Sequence, residues 1–419
     1  MLLNKIPTWA STGLSKLSTF QALKYHDFRF LWGSQIGSVM TMQTETYAKA
    51  WLIIELTDGD ATKAATFIGL AHFTRFTGAI AVLVGGVLTD KLDRRYILVA
   101  ANLVSTIYFG LIGILTLLGM IEIWHIVAGA VLAGGAQAVD NTARQASVSS
   151  IVPREGIMNA LSLTSVVHGI SNTAGPAIAG LMIFVTGTGG AYVAMSGFLF
   201  LSMLLLWFVH PLKINNPEPE GNFFQSLWEG FSYSFRTPSV RVVLLVGFTV
   251  VLLGAPHFQL LPVYFKEVLE LDAGSLGWLA IPGFLTILGG LIAASLGDYK
   301  RKGLLLFVAV LSPGIAAIIL SQVNVLWLAL MASCVFALGR SQYLPTTQTS
   351  AMKATPPHLR GRVASALSIS SQAGSAGVLL YGLLASQFGL QGAYLIAGLA
   401  VVTLQTTYFI VIPAFRRLS

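Results

Sequence analysis

An all-α membrane protein of twelve transmembrane helices, arranged as two six-helix pseudo-symmetric halves, is the fold class this sequence predicts, and three observations predict it. The 419 residues are 55% hydrophobic and only 10% charged, whereas about a quarter of a soluble domain is charged. The apolar residues gather into runs long enough to cross a bilayer, which takes about 20 residues as a helix, and runs of that length exclude a spanning β-barrel. The two halves repeat at an offset of just over two hundred residues: Gly85-Gly86 answers to Gly289-Gly290, Gln145 to Gln348, and Ala160-Leu161-Ser162 to Ala366-Leu367-Ser368.

Each element follows from these patterns. Residues 1 to 27 carry Lys5, Lys16 and Lys24 but are broken by Pro7 and Gly13 without a continuous apolar run, so they read as a cytoplasmic lead-in and not a cleaved signal. The first half, 28 to 209, holds spans at 28 to 56, 62 to 88, 95 to 118, 122 to 147, 159 to 184 and 189 to 209. Residues 210 to 240 form a linker, in which a polar stretch from Lys213 to Gly221 precedes an amphipathic segment with Trp228, Phe231 and Phe235. The second half, 241 to 413, holds spans at 241 to 265, 275 to 297, 303 to 321, 325 to 350, 361 to 387 and 391 to 413, before a short tail at 414 to 419.

The formal net charge of +8 would suggest a nucleic-acid partner in a soluble protein. Here the positions decide otherwise. Of 25 Lys and Arg, nineteen fall on the side that bears the N-terminus, only Lys63 and Lys266 lie opposite, and Lys49, Arg75, Arg144 and Arg340 fall inside spans. By the positive-inside rule both termini are cytoplasmic in a bacterial inner membrane, and no nucleic-acid partner is expected. The single cysteine, Cys334, can form no intramolecular disulfide.

The loop after the second span reads Gly86-Val-Leu-Thr-Asp90-Lys91-Leu-Asp93-Arg94-Arg95. It resembles the signature loop of the major facilitator superfamily, with Asp93 where a second glycine is usual. Tyr25-His-Asp-Phe-Arg29-Phe-Leu-Trp32, Ala143-Arg144-Gln145 and Val152-Pro153-Arg154-Glu155 are similar to the bacterial exporter branch of that superfamily, which includes the enterobactin exporter and macrolide efflux proteins. Gly175-Pro176-Ala-Ile-Ala179-Gly180 in the fifth span resembles the antiporter motif of exporting members, with Ser162 and Ser171 in place of its upstream glycines. Physically, the small residues permit close helix approach and the proline removes a helical hydrogen bond and permits a bend. The resemblance implies alternating access, spans one, four, seven and ten lining a central cavity, and a gating loop that closes the cytoplasmic side. Asp90 could then sit against the positive end of the eleventh span near Gly361-Arg362, making Gly86, Asp90, Arg94, Arg95 and Arg362 a gating set.

Glu45, Lys49, His72, Arg75, Asp140, Arg144, His168, His257 and Arg340 fall within apolar spans. A central Lys, Arg or Asp there costs about 2.5 to 3.5 kcal/mol on insertion scales, so such residues face a cavity or pair. Glu45 and Lys49 are spaced i,i+4, as are Asp140 and Arg144, and His72 and Arg75 are spaced i,i+3. Glu45 is either a proton-coupling carboxylate or half of a structural ion pair. Arg340 has no acid in its own span; it either pairs across the cavity with Asp140 or holds an anionic substrate group. His257 follows Pro256 in the seventh span, which places it as a cavity residue. The expected proton-coupling and cavity set is thus Glu45, Lys49, Arg75, Asp140, His257 and Arg340.

No His, Cys and carboxylate spacing suggests a metal, and no nucleophile and base suggests an enzyme. No Walker A pattern is present, leaving an ion gradient as the energy source, with protons the expected ion. The expected partners are a small-molecule substrate, protons and membrane lipids, with no cofactor. The resulting expectation is proton-coupled export of a small anionic or amphipathic organic molecule, siderophore- or drug-like. A lysolipid or lipid flippase, or a transport-inactive sensor on the same fold, are the alternatives.

Overall fold

The structure, a computed structural model, describes residues 18–74, 92–211, 223–296, 302–356, 359–371 and 373–416. Among these residues the chain is helical with no strand, and seven helices are long and apolar enough to cross a membrane. Two of those seven contain a break. The 50-residue helix Ile157–Leu206 is interrupted at Gly187, where φ is 70°, and Ala373–Val411 at Gly389, where φ is 72°. Both angles lie in the left-handed region that glycine enters without a Cβ penalty.

Each break reverses the chain. Along the first helix, His26–Leu56, the side chain of Trp32 donates to Leu163 O and Gln43 meets Asn172, so the arm before Gly187 runs parallel to it, and Glu55 accepts from Thr188 at the break itself. The arm after Gly187 runs back, with Ser202 bonding Ser34 and Leu205 lying over Gly33. The second half repeats the device: Gly374 approaches Val251 and Tyr381 donates to Leu253 O on one arm, while Tyr394 donates to His257 O and Gln405 to Val246 O on the returning arm. The fifth and sixth passes are therefore the two arms of one helix. The eleventh and twelfth are built likewise, with Arg360–Ser371 leading in.

The other passes are Ala61–Thr74, Arg94–Leu117 and Ile123–Ile151 in the first half. The second half adds Pro238–Val268, Ala280–Leu296 with its lead-in Ala273–Leu279, Lys302–Gln322 and Leu326–Lys353. Local chemistry sets several boundaries. Asp93, which stands where the signature loop usually has glycine, caps the third pass by accepting from Arg95 N at 2.9 Å, satisfying a donor the helix start leaves orphaned. Pro238 opens the seventh pass, where its missing N–H is no loss. Further along that pass Pro256 and Pro262 interrupt the hydrogen-bond ladder, and π-helical turns at Val250–Gly254 and Tyr264–Val268 absorb the mismatch.

The halves meet most extensively at the end of the bundle that carries the 57–60 and 269–272 connections, here the far end; the opposite end, which carries residues 152–156 and the linker, is the linker end. The second pass crosses the eleventh at the far end so closely that a Cβ on Gly69 would lie 2.6 Å from Leu379 Cα and one on Gly382 would lie 2.7 Å from Ala65 O. Thr66 donates to Gly382 O at 3.1 Å across the same seam. The fifth pass meets the eighth alongside, where Gly180 faces Ala273 and Leu276 and Gly283 faces Thr173. In the linker, the helix Phe223–Arg236 docks on the second half, with Gly230 against the Arg362 backbone and Glu229 paired with Arg362.

Candidate functional site

Between the halves lies a cavity of about 910 Å³, within the size range of small-molecule sites. The first half contributes an amide-rich wall from Gln43, Gln137, Asn141, Gln145 and Asn172, with Tyr47 and His72 beside it. The second half contributes Phe258, Gln259, Phe336 and the guanidinium-bearing Arg340. Arg340 stays solvent-accessible inside the cavity and makes no hydrogen bond or ion pair among the described residues. Its ionisable neighbours are two tyrosines, Tyr47 from the first pass and Tyr343 on its own helix. A cation in a membrane-embedded cavity is costly to hold without a counter-charge.

The acids lie elsewhere. Glu45 and Lys49 are 4% and 0% exposed, and Lys49 Nζ donates to Glu45 Oε1 at 3.0 Å. Asp140 receives two bonds from Arg144, at 3.0 and 2.9 Å, the fork geometry of a bidentate pair, and a third from Asn102 at 2.9 Å. Arg144 also donates to Leu31 O and Ser34 Oγ, both at 3.1 Å, and to Ser38 Oγ at 3.4 Å. These groups border a second pocket of about 50 Å³ inside the first half, between the first, third, fourth and sixth passes. It has room for a few waters. Met42, Gly134 and Gln137 line both pockets.

The cross-cavity pair considered from sequence is therefore not formed: Asp140 is taken by Arg144 and Asn102, and its helix turns it into the first half. Glu45, Lys49 and Asp140 belong to this inner pocket and not to the lining of the central cavity.

His257 also departs from its expected place. It is fully buried, its Nδ1 meets Gly254 O, and its ring sits edge-on to Phe336 and Tyr394 at 4.9 and 6.2 Å. The irregular turn around Pro256 rotates it into the second half and presents Phe258 and Gln259 to the cavity instead. His72 lines the cavity, and His168 bridges to Gln35 at 3.4 Å.

Of the gating set, Gly86 and Asp90 lie outside the described residues, as does the cavity candidate Arg75. Arg94 ties the third pass to the fourth through Ala146 O at 2.8 Å and Ser150. Arg95 donates to Trp207 O at 2.7 Å and stacks over the Trp207 ring, tying the third pass to the end of the sixth. Both act within the first half. Arg362 bonds the linker through Glu229, a partner 133 residues away that spacing did not reveal.

In the helix-bending set, Gly175, Pro176 and Gly180 are buried, and the break in that helix falls at Gly187 and not at Pro176. Their contribution is closeness. A Cβ on Gly175 would lie 2.8 Å from Gln43 Cβ and one on Gly180 2.7 Å from Ala273 O, so the motif seats the fifth pass on the first and, across the seam, on the start of the eighth.

Gln137, Asn141 and Gln145, at helical spacing on the fourth pass, face the cavity together and join Gln43 and Asn172 in the amide wall.

Comparison with known proteins agrees with this architecture. Residues 17–417 match the family model described as transmembrane secretion effector. The chain is 26% identical over 354 residues to the multidrug efflux pump Tap of Mycolicibacterium fortuitum, covering 81% of this chain and 85% of that protein. It is 24% identical over 337 residues to the enterobactin exporter EntS of Escherichia coli O1:K1 / APEC, covering 80% and 76% respectively. Among solved structures, the nucleoside transporter NupG superposes with a TM-score of 0.76 at 9% identity, over 92% of this chain and 99% of that one. The D-xylose-proton symporter superposes with a TM-score of 0.68 at 13% identity, over 94% and 99%.

Proposed function

This chain belongs to the transmembrane secretion effector family of the major facilitator superfamily, and we propose that it is a proton-coupled exporter of small anionic or amphipathic organic molecules. The observation that carries the reading is Arg340: a cation in the inter-half cavity without a protein partner among the described residues, while Glu45 and Asp140 are each paired inside the first half. A substrate carboxylate, phenolate or catecholate would supply the missing counter-ion. The flat rings of Phe258 and Phe336 would hold its apolar body, and the amide wall would meet its remaining polar atoms. Relatives named as a multidrug efflux pump and an enterobactin exporter support export of organic molecules.

With the linker and N-terminus cytoplasmic, as the basic loops imply, closure of the far end makes this an inward-facing arrangement in which substrate enters the cavity from the cytoplasm. Proton uptake by Glu45 or Asp140 would break a buried pair and leave Lys49 or Arg144 uncompensated. That is a large electrostatic change one layer of residues from the substrate. Coupling then consists of exchanging a proton in the inner pocket for an anion at Arg340 as the halves rock about the seam.

The test is transport in proteoliposomes under an imposed pH gradient, using an anionic aromatic compound found by thermal-stabilisation screening. Wild type moves it against its gradient, and Arg340→Gln does not. Movement of cationic drugs alone would overturn the substrate class, and translocation of fluorescent lysolipid in place of soluble anions would favour a flippase.

A further inference from the structure

At the linker end of the first half, away from both pockets, His26, Asp27 and His210 converge. His210 Nδ1 lies 2.7 Å and His26 Nδ1 3.2 Å from the same oxygen, Asp27 Oδ1, and that oxygen also accepts the His210 backbone N–H at 3.2 Å. One ligand-capable atom from each residue falls within 4.8 Å of the others. The cluster joins the first turn of the first pass to the residue just past the sixth, 183 positions apart. Spacing along the chain therefore gave no sign of it.

The surroundings hold the three groups together. The His26 ring lies 4.8 Å from Phe30, which stacks on Phe208 at 5.2 Å, so an aromatic platform fixes both helix ends beneath the imidazoles. The histidine side chains are 53% and 73% exposed, leaving room for an ion to enter and for rings to turn.

We infer that His26, Asp27 and His210 form a binding site for a late first-row divalent cation of the zinc type. Two imidazole nitrogens and one carboxylate oxygen suit zinc, nickel, cobalt or copper and not magnesium or calcium. Three protein ligands with a fourth position for water is a common zinc arrangement. Tetrahedral coordination requires donor atoms about 3.3 Å apart, so the 2.7 Å contact of His210 with Asp27 must lengthen while separations approaching 4.8 Å must shorten, and rotation of the two exposed rings supplies both adjustments. A bound ion would replace the hydrogen bonds that now converge on Asp27 Oδ1 and would staple the first and sixth passes. Both belong to the same half, so the ion braces that half without touching the seam between halves.

The experiment uses the full-length chain, with any histidine tag removed, in detergent after chelator treatment. Cobalt is titrated while its visible absorption is followed, and thermal midpoints are recorded with zinc and with magnesium. The expected result is saturable binding of one cobalt per chain with a tetrahedral absorption band, and a midpoint raised by zinc but not by magnesium. His210→Ala should weaken zinc by at least about tenfold, while His125→Ala, at the far end, should leave binding intact. Midpoints without metal show whether each variant is folded, and the wild-type cobalt spectrum is decisive even if His210→Ala is not. Absence of one-to-one binding in wild type overturns the site, as does binding that survives unchanged in a folded His26→Ala/His210→Ala double variant.

Discussion

The two halves share a topology, down to the glycine-broken fifth-sixth and eleventh-twelfth hairpins, and differ in how they treat charge. The first half buries two complete ion pairs, Glu45 with Lys49 and Asp140 with Arg144, in a web of Asn102, Ser34 and Ser38. The second half answers with aromatic groups, His257 edged by Phe336 and Tyr394 and Tyr394 in turn packed against Tyr264 and Tyr381, and with one cation left facing the cavity. A symmetric scaffold has been given an ionic half and a receptive half. The difference teaches that one scaffold can treat charge in two ways, and under the proposed function the ionic half would carry the driving ion and the other half the cargo.

The comparison breaks most visibly at Arg144. Replacing it with Leu leaves Asp140 buried without its main partner, and loss of one member of a buried pair costs about 3 to 5 kcal/mol. Arg340→Leu removes a cation that has no protein partner among the described residues, so it should leave the thermal midpoint nearly unchanged or raise it. Equal destabilisation by the two variants, measured by thermal unfolding in detergent, would erase the contrast between halves. For ligand binding the order reverses. Arg340→Gln should weaken an anionic aromatic ligand about ten- to a hundredfold, the scale of one or two charge-assisted hydrogen bonds, in a titration that leaves a neutral analogue unaffected.

The seam offers a smaller effect. Gly69→Leu places a side chain where even a Cβ would meet Leu379 Cα at 2.6 Å, and overpacking of this kind costs about 1 to 3 kcal/mol. The cost falls only on the closed far end, so the variant should shift toward the opposite state and expose a cysteine placed at Thr66, in a Cys334→Ser background, to a membrane-impermeant reagent. Unchanged labelling would mean that the crossing of the second and eleventh passes does not close the far end. Smallest is the helix cap. Asp93→Ala should lower the midpoint by the equivalent of about 1 kcal/mol, with transport retained, because the cap supports the first half and touches neither pocket.

The fold class was legible because bilayer thickness and backbone satisfaction constrain a spanning sequence so tightly. The two i,i+4 pairs were legible for a related reason, since residues one helical turn apart meet whatever the tertiary context. Helix facing was not. Glu45 and Asp140 sit on passes that border the cavity, yet a rotation of a fraction of a turn aims them into the first half, and only packing decides that. His257 needed knowledge of how the Pro256 interruption would be absorbed. The pairs Glu229 with Arg362 and Asp27 with His210 join residues more than a hundred positions apart, a distance that composition and periodicity do not bridge.

The division of labour between the halves is tested most directly by counting protons in proteoliposomes that contain a pH-indicating dye. Wild type should move protons inward as an anionic substrate leaves, and Glu45→Gln should let the substrate run down its own gradient with the proton flux lost. Undiminished proton flux in Glu45→Gln at the wild-type ratio to substrate would contradict coupling through the Glu45 pair in the ionic half.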